Sequence, residues 1–486
     1  MEQLFQIATW TIAASYYLLV AVVALRVALK RRVVGVSFAW LLLIFIIPIV
    51  GVLVYMLFGE RFLGRKRKRR ASKLYNQLRL WFSQLEQQNP RYRSNLGPHA
   101  HPIHRLCVKQ LGIPSTLGNR LQLLTSPELI FASFLDDIAN AQQSIQLEFY
   151  IWHPGGQADV VAEQLMVAAK RGVKVHLILD AAGSRDFFNS RWPAAMTAAG
   201  IHVIGALTVN PLKMFLRRMD IRLHRKIVVI DNQIGYSGSM NMVDPAFFKQ
   251  DAGVGQWIDV MLRINGPAVT TLGAIHAWDW QVEGGEAMQP LLPDSFADDH
   301  GACSEFALQV IPSGTALPSN VIQQVLLLGI YHATKRITLC APYFVPSEHL
   351  LEALITAAAR GVEVEIILPD KNDSLMVGWA SRSFFAELLE AGVSIYRFQG
   401  GLLHTKAVLF DDEHCLIGSV NLDMRSLQLN SEVTLALDDP ALCLQLKQLL
   451  AGYRNSSYAM NYHLWRQRPL PSKLLEQFFY MFAPLL

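Results

Sequence analysis

The sequence predicts an α/β protein in which two tandem strand and helix units follow an N-terminal membrane anchor with two transmembrane helices. Three observations predict it. The stretch LHRKIVVIDNQIGYSGSMN (Leu223 to Asn241) returns as LHTKAVLFDDEHCLIGSVN (Leu403 to Asn421). The segments ahead of each copy match in the same order, strands alternating with helices, which indicates βαβ units around a largely parallel sheet. Finally, 52% of the 486 residues are hydrophobic and only 17% are charged, too apolar for an ordinary soluble enzyme.

The anchor comes first. Gln3 to Leu25 and Val33 to Phe58 carry no charge, and each exceeds the roughly 20 residues that cross a hydrocarbon core. No basic residue follows Met1, as a cleaved signal peptide would require. Residues 1–70 hold eleven Lys or Arg against Glu2 and Glu60; with the whole chain at +5, residues 71–486 are left at −4. The basic charge therefore belongs to the first 70 residues, the anchor (1–60) and the start of the segment after it, and the body lacks the positive field of a nucleic-acid binder. The cluster Arg61 to Arg70 places the body in the cytoplasm by the positive-inside rule, against the competing charges Arg26, Lys30, Arg31 and Arg32. Its run RKRKRR also suits anionic lipid headgroups, at about 1 kcal/mol per basic residue near the surface. The expected location is the bacterial inner membrane.

Residues 61–120 read as a basic segment and connector, helical where Leu74, Leu78, Trp81 and Leu85 recur, ending in a loop with His99, His101 and His104. Those histidines have no acidic partner nearby in sequence, and no metal is expected there. Five scattered cysteines (Cys107, Cys303, Cys340, Cys415, Cys443) contain no CxxC pair and read as reduced, buried thiols.

The first unit, 121–300, opens with Ser126 as N-cap and Pro127 at the first helical position. Strand Ser144 to Trp152 follows, then a helix stopped at Gly172 before an apolar strand. The second unit, 301–456, repeats this: Gly361 matches Gly172, and EAGVSI matches AAGIHV. Residues 457–486 form an amphipathic tail in which Leu474, Leu475, Phe478, Phe479 and Phe482 fall at helical spacing. Packing on the body is the expected fate of that face, with the membrane surface as the alternative.

Within each copy the pattern is HxKxxxxD followed by GSxN. His224, Lys226, Asp231, Ser239 and Asn241 stand opposite His404, Lys406, Asp411, Ser419 and Asn421. The apolar run between Lys and Asp is a buried strand, so His and Lys share a face. Asp231 and Asp411 complete the catalytic motif but sit at turns beyond the strands. We read them as framework carboxylates that hold a turn or a partner cation. A hairpin turning at 231–233 keeps paired positions at a constant sum of 464, or 824 in the second copy, and returns Ser239 and Asn241 beside His224. The repeat extends to Asp259 and Glu432, after a gap seven residues longer in the first copy. A carboxylate at both positions is what a histidine needs to fix its tautomer and support its cation.

Paired lysines disfavour a divalent metal and favour an anion. Lys, Asn and Ser together are donors for phosphate oxygens. One imidazole attacks phosphorus while the other gives and takes the alcohol proton. The chemistry is phosphodiester exchange through a phosphohistidine, with no cofactor.

Paired HxKxxxxD with GSxN resembles the phospholipase D superfamily, and two apolar runs ahead of a doubled body resemble its bacterial cardiolipin synthases. FYIW, SGSMNMVDP, FKQDAGVGQWID and APYFVP are consistent with that family. The resemblance covers nearly the whole chain and implies two phospholipase D-like domains related by pseudo-two-fold symmetry, with the site between them. It implies conversion of two phosphatidylglycerols to cardiolipin and glycerol, with His224 as nucleophile and His404 as acid, then base. Phosphatidylglycerol, anionic lipids and the membrane are the expected partners, and nucleic acid is not. Water or another alcohol as acceptor is the main alternative; a membrane-tethered nuclease and a non-catalytic scaffold fit the charge and the intact motifs less well.

Overall fold

The computed structural model describes residues 2–30, 34–59, 65–97, 101–208, 220–290, 305–318 and 320–483. Glu60, Arg31, Arg32, Arg61, His99, Cys303 and the joint at 291–304 lie outside the described residues. The chain divides into two compact units, residues 1–66 with 209–220, and residues 67–208 with 221–486.

In the first unit, Glu2–Leu29 is one helix, and its apolar part from Phe5 to Leu29 is long enough to cross a membrane. The second apolar run differs from expectation. It forms Val34–Ile46 and Pro48–Phe58, broken at Ile47. Pro48 has no N–H to give to the preceding turn, so it starts a new helix. At 1.5 Å per residue the two pieces are roughly 20 and 16 Å long, each short of a membrane's roughly 30 Å core.

In the second unit each half builds a sheet on the same seven-strand plan. The first runs Arg120–Leu124, Met261–Asn265, Ile234–Gly238, Ile227–Ile230, Ser144–Phe149, Lys174–Asp180, His202–Ala206. The second runs Leu308–Ser313, Glu432–Leu437, His414–Gly418, Ala407–Phe410, Arg336–Cys340, Glu363–Pro369, Ser394–Phe398. Only the last three strands of each are mutually parallel. The remaining neighbours are antiparallel, so the sheets are mixed rather than largely parallel. Burial on both faces makes an apolar run compatible with either direction. The sheets share a core in which Ile227, Val229, Leu262 and Ile264 join Val310, Cys340, Leu409 and Leu435.

The expected connector is part of this body. Helix Arg65–Gln88 buries Ala71, Tyr75, Leu78, Phe82 and Leu85 in the second half's core. Tyr92–Arg93 and Ser115–Thr116 extend the second sheet at one edge, and Ser457–Ala459 extends it at the other. The histidine stretch is not a loop from Pro102 onward but a helix, Pro102–Leu111, in which His101 is the N-cap. His104 is buried. Its Nε2 meets Asp438 Oδ2 at 2.8 Å, and its Nδ1 meets Ser115 Oγ at 3.1 Å.

The hairpin register holds in both copies: Ile230 pairs Ile234 and Ile227 pairs Ser237, while Phe410 pairs His414 and Ala407 pairs Ile417. Asp231, Asn232, Asp411 and Asp412 take positive φ of 52°, 53°, 51° and 63° at the turns, a conformation that Asp and Asn tolerate better than most residues. Asp231 accepts from the backbone N–H groups of Gln142, Gln143 and Ser144 at 2.7 to 2.8 Å. Asp411 does the same for Thr334, Lys335 and Arg336 at 2.7 to 2.9 Å. These aspartates tie the hairpin to the start of the neighbouring strand, not to a cation, and sit at the end remote from the histidines. Their inclusion with the catalytic groups is corrected accordingly.

Burial raises the Asp411 carboxyl, but the three backbone N–H groups outweigh it and hold it below the usual range. Its stabilising effect is therefore present above the unfolded pKa and lost as pH falls through the folded one. Asp411→Ala should cost about 1–2 kcal/mol in urea unfolding at neutral pH and leave activity per folded molecule unchanged. An inactive but fully stable variant would place this carboxylate in the chemistry instead.

Candidate active site

Both motifs leave their half to pair with the other one. Leu223 bridges Ser431, and the His224 N–H donates to the Ser431 carbonyl at 2.8 Å. In the second copy Leu402–Leu403 pairs with Trp257–Ile258, and the His404 N–H donates to the Ile258 carbonyl at 2.8 Å. Each histidine is thereby delivered to the carboxylate of the opposite half. His224 Nδ1 lies 2.8 Å from Glu432 Oε2, and His404 Nδ1 lies 2.7 Å from Asp259 Oδ1.

The serines belong to the same crossed arrangement. Ser239 Oγ donates to Asp259 Oδ1 at 2.6 Å, and Ser419 Oγ donates to Glu432 Oε2 at 2.5 Å. Each hydroxyl has one proton, and it is committed to a carboxylate. The serines therefore orient the acids rather than donate to a phosphate, which corrects the expected role of Ser239 and Ser419. Each also accepts a backbone N–H at 3.0 Å, from Val260 and Val433. Asn241 Oδ1 accepts the Ile151 N–H at 3.2 Å, which leaves its amide N–H groups as the donors available to a ligand. Lys226 Nζ and Lys406 Nζ each donate to the carbonyl of their own histidine at 2.7 Å, leaving two further protons on each ammonium.

Residues 134–267 and 326–453 match the family described as "Cardiolipin synthase, PLD-like domain", and residues 18–60 match "Phospholipase_D-nuclease N-terminal". The chain is 49% identical to Cardiolipin synthase A of Yersinia pseudotuberculosis serotype O:3 (strain YPIII), with 100% of both chains covered. The chain belongs to the bacterial cardiolipin synthase family. Cardiolipin synthase A of Yersinia pestis is 48% identical, again with 100% of both chains covered. Among solved structures, phosphatidylserine synthase of Haemophilus influenzae Rd KW20 superposes with a TM-score of 0.57. That match covers 79% of this chain and 99% of the other at 17% identity, so it speaks for the fold alone. Family membership makes this chain a phosphatidyltransferase of the phospholipase D type, acting on membrane phospholipids.

The electrostatics fit a cardiolipin synthase whose site waits for an anion. Burial lowers both histidines to about 4, against the opposing pull of Glu432 or Asp259. Burial also lowers Lys226 to about 7 and Lys406 to about 8. For Asp259 and Glu432 burial acts upward, but the facing histidine, lysine and serine outweigh it and both remain below their usual range. Burial thus favours the neutral imidazole and the facing carboxylate the charged one, so each histidine is poised to change charge when an anion binds, with Nδ1 held by the carboxylate and Nε2 left for the chemistry.

Sequence reasoning missed three neighbours. Arg225, fully buried, ion-pairs with Asp279 and donates to the carbonyls of Glu432 at 2.9 Å and Ser313 at 3.2 Å, bracing the strand that carries Glu432. The Tyr150 ring lies 4.9 Å from His224, and the Trp257 ring 4.3 Å from His404. Tyr150 and Trp257 lay within the FYIW and QWID stretches; Arg225 had no signal beyond an HRK that becomes HTK in the second copy. The insertion before Asp259 carries Phe248, which packs on Trp257 at 5.0 Å, and Lys249, which reaches Asp373 at 3.1 Å.

Among the described residues one group resembles a metal site, His104, His414 and Asp438, whose ligand atoms lie within 4.8 Å of one another. His414 opens the strand beyond the Asp411 turn, at the end of the hairpin remote from His404. Both imidazoles already bond the Asp438 carboxylate, so the cluster is accounted for as a buried structural network.

Proposed function

We propose that the chain joins two phosphatidylglycerols into cardiolipin and glycerol. His224 Nε2 attacks phosphorus of the first lipid. The bond from phosphorus to the glycerol headgroup breaks, and His404, charged at Nε2 once the anionic phosphodiester beside it has raised its pKa, protonates the departing oxygen. The phosphatidyl group is then bonded to an imidazolium whose charge Glu432 balances. The terminal hydroxyl of a second phosphatidylglycerol gives its proton to His404 and attacks phosphorus, breaking the P–N bond and restoring His224. Lys226, Lys406, Asn241 and Asn421 hold the non-bridging oxygens. One phosphodiester replaces another, so no external energy source is needed.

The crossed pairs of histidine and carboxylate carry this reading. They supply one imidazole ready to attack and a second able to shuttle a proton. In lipid product analysis, phosphatidylglycerol alone should give cardiolipin and glycerol in equal amounts, with or without chelator. Phosphatidic acid as the main product would assign water as acceptor. A different phosphodiester on adding phosphatidylethanolamine would assign another alcohol.

The pH dependence follows from the same groups. As pH rises above about 7 the free enzyme loses the Lys226 charge, then that of Lys406, and the proton His404 must deliver becomes scarcer. Both effects lower kcat/KM, whereas a bound phosphodiester raises all three pKa values and moves the limb of kcat to higher pH. A pH–rate profile in which kcat/KM climbs from pH 7 to 9 would contradict this.

We read the anchor as multi-pass, with Glu2–Leu29 crossing once and the pieces either side of Ile47 forming a second, broken membrane element; the basic residues around Arg65–Arg70 support a cytoplasmic body. Protease added outside intact spheroplasts should leave the body uncut; cleavage there would reverse the orientation.

A further inference from the structure

The C-terminal helix Leu470–Tyr480 turns its apolar side outward. Leu470, Leu474, Phe478 and Met481 fall at i, i+4, i+8 and i+11 and are 67%, 62%, 52% and 76% exposed. The acidic side chain faces in. Glu476 is fully buried and accepts from Arg382 Nε at 3.1 Å and Arg468 Nε at 2.9 Å. Tyr480 packs on Phe384 at 5.4 Å. A buried ion pair contributes little net stability, and a row of apolar side chains left in water contributes none. Phe479 and Ala483 seat the inner side of this segment on the second half's core, and the outer row is left as an apolar face that an apolar partner would cover.

Three observations identify what covers it. Glu476, the only acid among residues 457–486, is neutralised inward by Arg468, so the charge that the segment's side chains leave toward solvent is that of Arg466 and Lys473, complementary to an anionic surface. The outward row also continues toward the catalytic mouth. Helix Leu470–Tyr480 packs against Leu375–Arg382, whose first residue Leu375 is 69% exposed. Just before it, Asp373 holds the Tyr343 hydroxyl at 2.7 Å and Lys249 at 3.1 Å, and Lys249 lies 5.6 Å from the ring of Trp257, which covers His404. Lastly, Phe247, two residues before Lys249, is 61% exposed. Leu375 and Phe247 are thus exposed apolar residues on the elements that connect the C-terminal helix to the residues beside His404.

We propose that this surface, Leu470, Leu474, Phe478 and Met481 with Leu375 and Phe247, seats on an anionic phospholipid bilayer and sets the mouth of the site against it. Lipid then enters without passing through water, its acyl chains staying among the apolar side chains while the headgroup reaches the lysines. Only the activity arm of the test rests on the phosphatidylglycerol reading above.

The test uses the full chain with Cys303→Ser, in phosphatidylglycerol nanodiscs. A bimane label at Leu474→Cys or Phe478→Cys should shift to the blue and be quenched by lipids with brominated acyl chains. The same label at Glu413→Cys, beside the Asp411 turn, should do neither. The triple variant Leu470→Ser, Leu474→Ser, Phe478→Ser should lose about tenfold in kcat/KM on bilayer phosphatidylglycerol, and nothing on the same lipid in detergent micelles. A blue-shifted label that brominated lipid does not quench would mean a second copy covers the face, and an unshifted label would mean nothing does. Either overturns the proposal, as does equal loss in bilayer and micelle. Absence of transfer in both presentations, with quenching intact, would instead count against the substrate reading.

Discussion

His224→Ala and His404→Ala should each reduce cardiolipin formation by about 10⁴-fold or more, because nucleophile and proton shuttle act as a unit. The double variant should be scarcely worse than either single one. Neither change should unfold the protein: both side chains line the site, and the backbone bonds from His224 to Ser431 and from His404 to Ile258 do not depend on the imidazole. The measurement is radiolabelled lipid turnover beside a thermal melt. Residual activity within tenfold of the parent in either variant would remove that histidine from the mechanism.

The second large effect concerns the carboxylates. Glu432→Gln and Asp259→Asn preserve shape but no longer fix the tautomer or balance the imidazolium, and each should cost about 10³-fold in kcat. Serine loss should be milder, because Ser239 and Ser419 act only by orienting a carboxylate; Ser419→Ala should cost about tenfold. If Ser419→Ala instead matched Glu432→Gln, the serine would be a direct phosphate donor after all.

Much of this site was legible in the chain. The equal spacing of HxKxxxxD and GSxN, with Asp and Asn at the turns, fixed the hairpins and paired the two copies. Alignment matched Asp259 to Glu432 but was silent on which histidine each serves. That depends on Leu223 bridging Ser431 and Leu403 pairing Ile258, contacts between segments about 150 to 200 residues apart. The serines were misassigned for a related reason: the hairpin register set Ser239 beside His224, whereas its single proton goes to Asp259, the carboxylate that holds His404. Strand direction was hidden because fully buried strands read alike whichever way they run. The break at Ile47 was marked by Pro48, yet the uninterrupted apolar run around it masked the signal. In the tail, periodicity grouped Leu474, Leu475, Phe478, Phe479 and Phe482 as a face for the body, whereas Phe479 packs there and Leu474 and Phe478 point outward, because a helix that buries Glu476 turns a different side inward.

The crossed wiring of the two halves is tested most directly by where phosphorus accumulates. With His404→Ala, acid-quenched turnover of labelled phosphatidylglycerol should leave a phosphatidyl adduct on His224, mapped by mass spectrometry. Adding Asp259→Asn should leave that adduct unchanged, since its histidine is already gone, whereas adding Glu432→Gln should largely abolish it. The reverse pattern, adduct lost with Asp259→Asn and kept with Glu432→Gln, would mean that each carboxylate serves its own half and would contradict the account.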